Sequence, residues 1–129
     1  MVLGLIQKRL SYSTISATVN GRRIRLLVAD TMLKRAIGLM YRESIAPGTG
    51  MLFRFRSSGI YGIWMRNMRF PIDVIWMNGQ RVVSVSSNLR SNDGAIHYPK
   101  APADTIIELA AGSAKRYKIK EGKKIAFKR

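Results

Sequence analysis

The sequence predicts a mainly β protein, a compact sandwich or partly open barrel of about eight short strands with one amphipathic helix near residues 31–42. Three observations point there. Short runs of alternating or wholly apolar residues recur along the chain, Asn-Gly pairs stand between two pairs of such runs, and helical periodicity occurs once. The organising stretch is Tyr61 to Val85, YGIWMRNMRFPIDVIWMNGQRVVSV, which holds both tryptophans. From Ile72 to Met77 successive side chains point to opposite faces, and both faces are largely apolar. A strand of this kind is buried on both sides, and Asn78-Gly79 is expected to turn it back into the strand Arg81 to Ser86. An α+β roll is the alternative architecture.

Residues 1–10 read as an N-terminal tail or edge segment and 11–129 as a single β-rich domain. A chain of 129 residues buries a core without metal or disulfide staples. The apolar run Val2 to Ile6 is short and has its basic residues after it, which fits neither a secretory signal nor a membrane span. The absence of cysteine removes disulfides, a thiolate nucleophile and thiolate zinc sites, and it fits a reducing compartment. A cytoplasmic location is the expectation.

Taken in order, SYSTISATV and RRIRLLVA form a hairpin about Asn20-Gly21, with Ile24, Leu26 and Val28 facing the core and Arg23 and Arg25 facing away. Asp30 and Thr31 offer a cap to the helix MLKRAIGLMYR, whose buried stripe is Leu33, Ala36, Ile37 and Met40. Gly38 inside it would permit close contact with a strand. After a loop at 46–50, Met51, Phe53 and Phe55 alternate with Leu52, Arg54 and Arg56, and Ser57-Ser58-Gly59 reads as a turn. Residues 87–103 form the longest irregular stretch, expected to be a functional or mobile lid. Thr105 to Leu109 is a short strand containing Glu108. Tyr117 and Ile119 alternate with Arg116, Lys118 and Lys120 as another strand. Glu121-Gly122 then turns the chain into a last one, with Lys124 and Lys128 facing out.

Five stretches together resemble the family catalogued as domain of unknown function 192: GLMYR (38–42), GMLF (50–53), IWMRNMRFPIDVIWM (63–77), VVSV (82–85) and IIELAAG (106–112). The resemblance covers about residues 26–127. It implies a compact, mainly β sandwich, often exported in bacteria, with no agreed activity. The family's usual pattern has Thr where this chain has Met68, and Gly-Asp where it has Gly122-Lys123. Both departures remove a polar or acidic group and make the surface more positive.

Charge dominates the composition, with 23 Lys and Arg against 7 Asp and Glu, a formal net of +16. So large an excess repels itself, and a polyanionic partner is the simplest reason to keep it, although solubility is a competing use. The basic residues recur with strand periodicity. Arg23 with Arg25, Arg54 with Arg56, Lys118 with Lys120, and Lys124 with Lys128 would each project from one strand face, and neighbouring strands would join them into one phosphate-binding surface. Lys34, Arg35, Arg116 and Lys123 extend the set. The leading expectation is a non-enzymatic RNA-binding protein, associated with the ribosome or another ribonucleoprotein through phosphate contacts.

Two other readings stand beside it. Trp64, Arg66, Asn67 and Asp73 could line a small pocket for a sugar or an acidic metabolite, since mixed aromatic and polar walls suit ligands. The commoner explanation of Asp73 is a satisfied internal acid that fixes the bend at Pro71. A hydrolase would need Asp73, Glu108 and His97 to meet in one site. No nucleophile elbow, metal-ligand pair or phosphate loop accompanies them, so no cofactor and no metal are expected.

Overall fold

The computed structural model describes residues 2–129. Nine strands and three short helices follow in the order α1 (Val2–Arg9), β1 (Thr14–Val19), β2 (Arg22–Ala29), α2 (Met32–Ile37), β3 (Thr49–Gly59), β4 (Ile63–Trp64), β5 (Ile72–Asn78), β6 (Arg81–Leu89), β7 (Ile96–His97), β8 (Ala103–Ala110), α3 (Ser113–Arg116) and β9 (Ala126–Lys128). The fold is mainly β. Seven strands make one sheet in the order β6-β5-β8-β3-β2-β1-β9, and β4 pairs with β7 apart from it. Only β2 and β3 run parallel within the large sheet, and α2 lies in the crossover that such a pair requires.

The two faces of this sheet carry two cores. Antiparallel partners share a face, so the registers Leu52 with Ile107 and Ile107 with Ile75 put Leu52, Ile75 and Ile107 together on an inner face, where Ile24, Leu26 and Tyr117 join them. Met51, Phe53, Ile72, Trp76 and Ile106 occupy the outer face, covered by Leu39, Met65 and Met68. All side chains from Ile72 to Met77 are buried, as a strand covered on both sides demands. The indole N–H of Trp76 donates to the Tyr61 carbonyl at 2.9 Å, which ties the covering segment to the sheet.

The sheet curls. Gly122 N–H donates to the Val82 carbonyl at 2.8 Å, Val82 N–H to Lys123 at 2.9 Å and Ile125 N–H to Gln80 at 2.9 Å. The chain then runs straight into β9, which pairs with β1. Residues 122–125 therefore link one edge of the sheet to the other, while the ladder itself stays open. Among the described residues no helix is long and apolar enough to cross a membrane.

Several expectations are corrected by the backbone. The helix stops at Ile37, because Gly38 adopts φ 52 and ψ −128 and donates its N–H back to Lys34. Residues 39–42 continue as turns whose Tyr41 N–H reaches the Asn67 carbonyl at 3.0 Å. The second hairpin turns one residue late. Asn78 pairs with Arg81, leaving Gly79 with φ 60 at the first central position that a type II′ turn reserves for glycine. Ser57 to Gly59 prolong β3 past an irregularity rather than turning. Residues 113–120 form α3 and turns, so Lys118 and Lys120 do not share a strand face. The stretch expected as a lid is partly ordered by β7 and by Lys100 N–H donating to Ser84 Oγ. The segment read as a tail or edge is α1, whose buried Gln7 donates to the carbonyls of Gly38 and Met40 at 3.0 and 2.8 Å.

Candidate functional site

Strand parity separates the two acids singled out in the apolar strands. Asp73 pairs with Leu109 and Val74 pairs with Glu108, so Asp73 belongs to the inner face and Glu108 to the outer. Asp73 is almost wholly buried, and backbone amides satisfy it: Asn88 N–H at 2.8 Å on one oxygen, Gly112 N–H at 3.1 Å and Ala114 N–H at 2.8 Å on the other. These bonds tie β6 and the first turn of α3 to β5. Asp73 is therefore a structural acid, and it does not join Trp64, Arg66 and Asn67 in a pocket. Asn67 is a turn residue with φ 60, used through its carbonyl.

His97 is engaged elsewhere as well. Its Nε2 lies 2.9 Å from an Asp93 oxygen, and Asp93 is held below its ordinary value first by the Ala95 N–H and then by His97. The hydrolase reading fails on this geometry, because Asp73 stands across the sheet from Glu108 and His97 is committed to Asp93.

Glu108 occupies a different kind of place. It lines the floor of a cleft of about 460 Å3 between β3, β8, α2 and the segment 61–68. Gly38 brings the α2 end so close that a Cβ there would sit 3.4 Å from Phe53 and 3.9 Å from Glu108 Oε1. The Phe55 and Tyr61 rings stack in one wall, with centroids 3.9 Å apart. Trp64 stands half-exposed at the mouth, with the Arg66 guanidinium 5.6 Å from its ring centroid. Among the described residues the Glu108 carboxylate has no hydrogen bond and no ion pair, and burial pushes its pKa up from 4.5 to about 7. Arg35 and Met68 also border the cleft, so the Met that departs from the usual family pattern makes this wall more apolar. Sequence reasoning placed Trp64 and Glu108 in separate readings. The parity of Phe53 and Phe55 on one face was the available sign of an aromatic wall.

Nine of the 23 basic residues lie on three segments that are bonded to one another. The tip of the β1–β2 hairpin meets the turns after α3, where Asn20 donates to the Tyr117 carbonyl at 2.7 Å and Arg22 to Arg116 at 3.0 Å. Arg81 reaches the Gly122 carbonyl at 3.1 Å. Residues 22–23, 81 and 115–124 thereby form one connected belt that carries nine Lys and Arg side chains, including Arg116, Lys118, Lys120, Lys123 and Lys124, from the β1–β2 tip to the start of β6. The single acid among them, Glu121, is paired with Lys100 at 3.2 Å. Arg23 and Arg25 continue from the β1–β2 tip along the outer face, and Lys128 lies in the Arg25 row through Ser16. The other basic candidates lie apart. Arg54 sits over the Phe127 ring on the inner side, Arg56 is exposed beyond it, Lys34 pairs with Asp30, and Arg35 borders the cleft. Among the described residues no three His, Asp or Glu side chains gather as a metal site.

Comparison with known proteins agrees with this architecture. The UPF0127 protein of Pyrococcus abyssi is 33% identical over 106 residues, spanning 78% of this chain and 83% of its own. That of Pyrococcus furiosus is 30% identical over 117 residues, spanning 84% and 93%. A crystal structure of a candidate transcription regulator from Sinorhizobium meliloti 1021 is similar with a TM-score of 0.84 at 26% identity, covering 92% of this chain and 96% of the other. A protein of unknown function from Novosphingobium aromaticivorans is similar with a TM-score of 0.80 at 28% identity, covering 91% and 86%. Residues 15–127 match the family DUF192, described as Uncharacterized ACR, and the chain belongs to that family.

Proposed function

We propose that this protein is a non-enzymatic polyanion binder whose partner is RNA, alone or within a ribonucleoprotein such as the ribosome. The observation that carries this reading is the basic belt, three bonded segments that carry nine cationic side chains and one acid, itself paired. Side-chain bonds from Asn20, Arg22 and Arg81 to backbone carbonyls hold those segments in place, so the charges stand on a fixed belt rather than a loose tail. A rigid array loses less conformational entropy on binding than a flexible one. Arg fits phosphate oxygens through its planar fork, and contacts of this kind position a nucleic acid without reading its sequence. The similar fold of a candidate transcription regulator supports a nucleic-acid role in general, and the choice of RNA is this reading's own.

The test is a salt titration of structured RNA and duplex DNA, read by fluorescence anisotropy. With six or more phosphates engaged, affinity for RNA falls by about three to five powers of ten between 50 and 200 mM salt. Replacing Lys118, Lys120 and Lys124 by Glu flattens that slope without unfolding the protein, because all three are exposed. A flat salt response in the unmodified protein overturns polyanion binding, and a preference for duplex DNA overturns the choice of RNA.

A further inference from the structure

The Glu108 cleft shares no lining residue with the basic belt and is not explained by polyanion binding. A buried carboxylate is ordinarily paired, hydrogen-bonded or bound to a cation, since removal from water penalises the charged form heavily. Glu108 is 5% exposed and has no such partner among the described residues. Its surroundings are aromatic. Phe53 reaches the floor near the carboxylate, the stacked Phe55 and Tyr61 rings form a wall, and Trp64 stands at the mouth. Ring faces carry negative quadrupolar charge, which attracts cations and disfavours anions. Carboxylate and rings thus ask for one kind of occupant.

We propose that this cleft binds a small alkylated ammonium ion, its charged head directed to Glu108 and its methyl or methylene groups packed on the aromatic walls. The cleft volume, about 460 Å3, lies in the range of small-molecule sites. One cation lines it and a second stands beside its aromatic mouth. The Arg66 guanidinium is already placed over the Trp64 ring, and Arg35 on α2 is half-buried at the edge. Neither forms an ion pair with Glu108 among the described residues, so the floor remains available, while their charge limits affinity. Tyr61 is the remaining titratable group on the lining, and its hydroxyl donates to the Ser57 carbonyl at 2.7 Å. Ammonium binding requires the ionised carboxylate, so affinity rises as pH climbs through about 7 and levels off above it.

The experiment compares choline chloride with 3,3-dimethylbutan-1-ol, which replaces the quaternary nitrogen by carbon at nearly the same shape. Binding to the full chain is followed by tryptophan fluorescence, where half-exposed Trp64 responds and buried Trp76 serves as the quiet background. At pH 8 choline binds at least about tenfold tighter than the alcohol, and the preference shrinks at pH 5.5. In Glu108→Gln, which keeps side-chain size, the two probes converge. If that variant does not fold, the pH dependence of the preference in the unmodified protein decides. The proposal is overturned by equal or tighter binding of the alcohol, by a preference that persists in folded Glu108→Gln, or by no saturable response to choline up to about 10 mM. RNA binding is unaffected by choline, so the two readings succeed or fail separately.

Discussion

Asp73 and Glu108 stand on adjacent strands, one register step apart, and both are buried in a sheet of apolar residues. On the inner face Asp73 accepts from three backbone amides drawn from two other elements. On the outer face Glu108 accepts from none among the described residues and faces an aromatic cleft. Burial alone thus says little about the role of a charged group. What separates a structural acid from a candidate binding acid is whether the fold itself supplies its donors. Asp73 has its full complement, so little interaction capacity remains for a ligand. Glu108 keeps that capacity at the expense of stability.

The contrast can be broken first at Asp73. Asp73→Asn retains the shape but leaves one oxygen to serve three donors and points an amide N–H at another N–H. Loss of charge-assisted bonds to buried amides predicts a destabilisation of about 3 to 4 kcal/mol, measured by denaturant unfolding. The opposite sign is expected at Glu108. Its carboxyl has a raised value in the fold, so between pH 4.5 and about 7 the native state binds more protons than the unfolded chain. Stability from this group therefore falls as pH rises through that window and is constant above it, with an upper bound of about 3 kcal/mol. Glu108→Gln removes the dependence, so the variant gains about 2 kcal/mol over the parent at pH 8 and little at pH 5. Responses of opposite sign would establish the distinction; destabilisation of both variants at pH 8 would erase it.

How far the sequence disclosed this contrast follows from the range over which each signal acts. Local signals were legible. The two-sided apolar run Ile72 to Met77, the Asn20-Gly21 turn and the Thr31 cap are set by neighbouring residues, and each appears in the structure. Asp73 was legible as a buried acid, but its donors Asn88, Gly112 and Ala114 lie 15, 39 and 41 residues away, beyond any local pattern. The cleft has the same character, since Gly38, Phe53, Trp64 and Glu108 come from four separate segments. The run Arg116 to Lys120 misled for another reason. Over five residues the buried Tyr117 and Ile119 imitate strand alternation, whereas one turn of helix and a left-handed Lys118, φ 55, place them on the core. The turns that replace the strand still join Arg116 and Lys118 to the β1–β2 tip.

The smallest of these effects sharpens the comparison most directly, because it touches one acid and spares the other. Gly38 ends α2 with φ 52 and ψ −128, a conformation that side chains with a Cβ rarely adopt. Gly38→Ala strains that backbone at about 1 to 2 kcal/mol. Its methyl would also meet the Phe53 ring at 3.4 Å and lie 3.9 Å from Glu108 Oε1, so it narrows the cleft and reduces water access to the carboxylate. Further desolvation disfavours the charged form, so the Glu108 titration midpoint, followed by carboxyl-carbon NMR, moves above that of the parent. Asp73, on the opposite face and held by its own amides, keeps its carboxyl signal unchanged. A Glu108 midpoint that stays put in this variant would mean that the carboxylate draws its solvation from somewhere other than the cleft, and the ammonium proposal would lose its physical basis along with it.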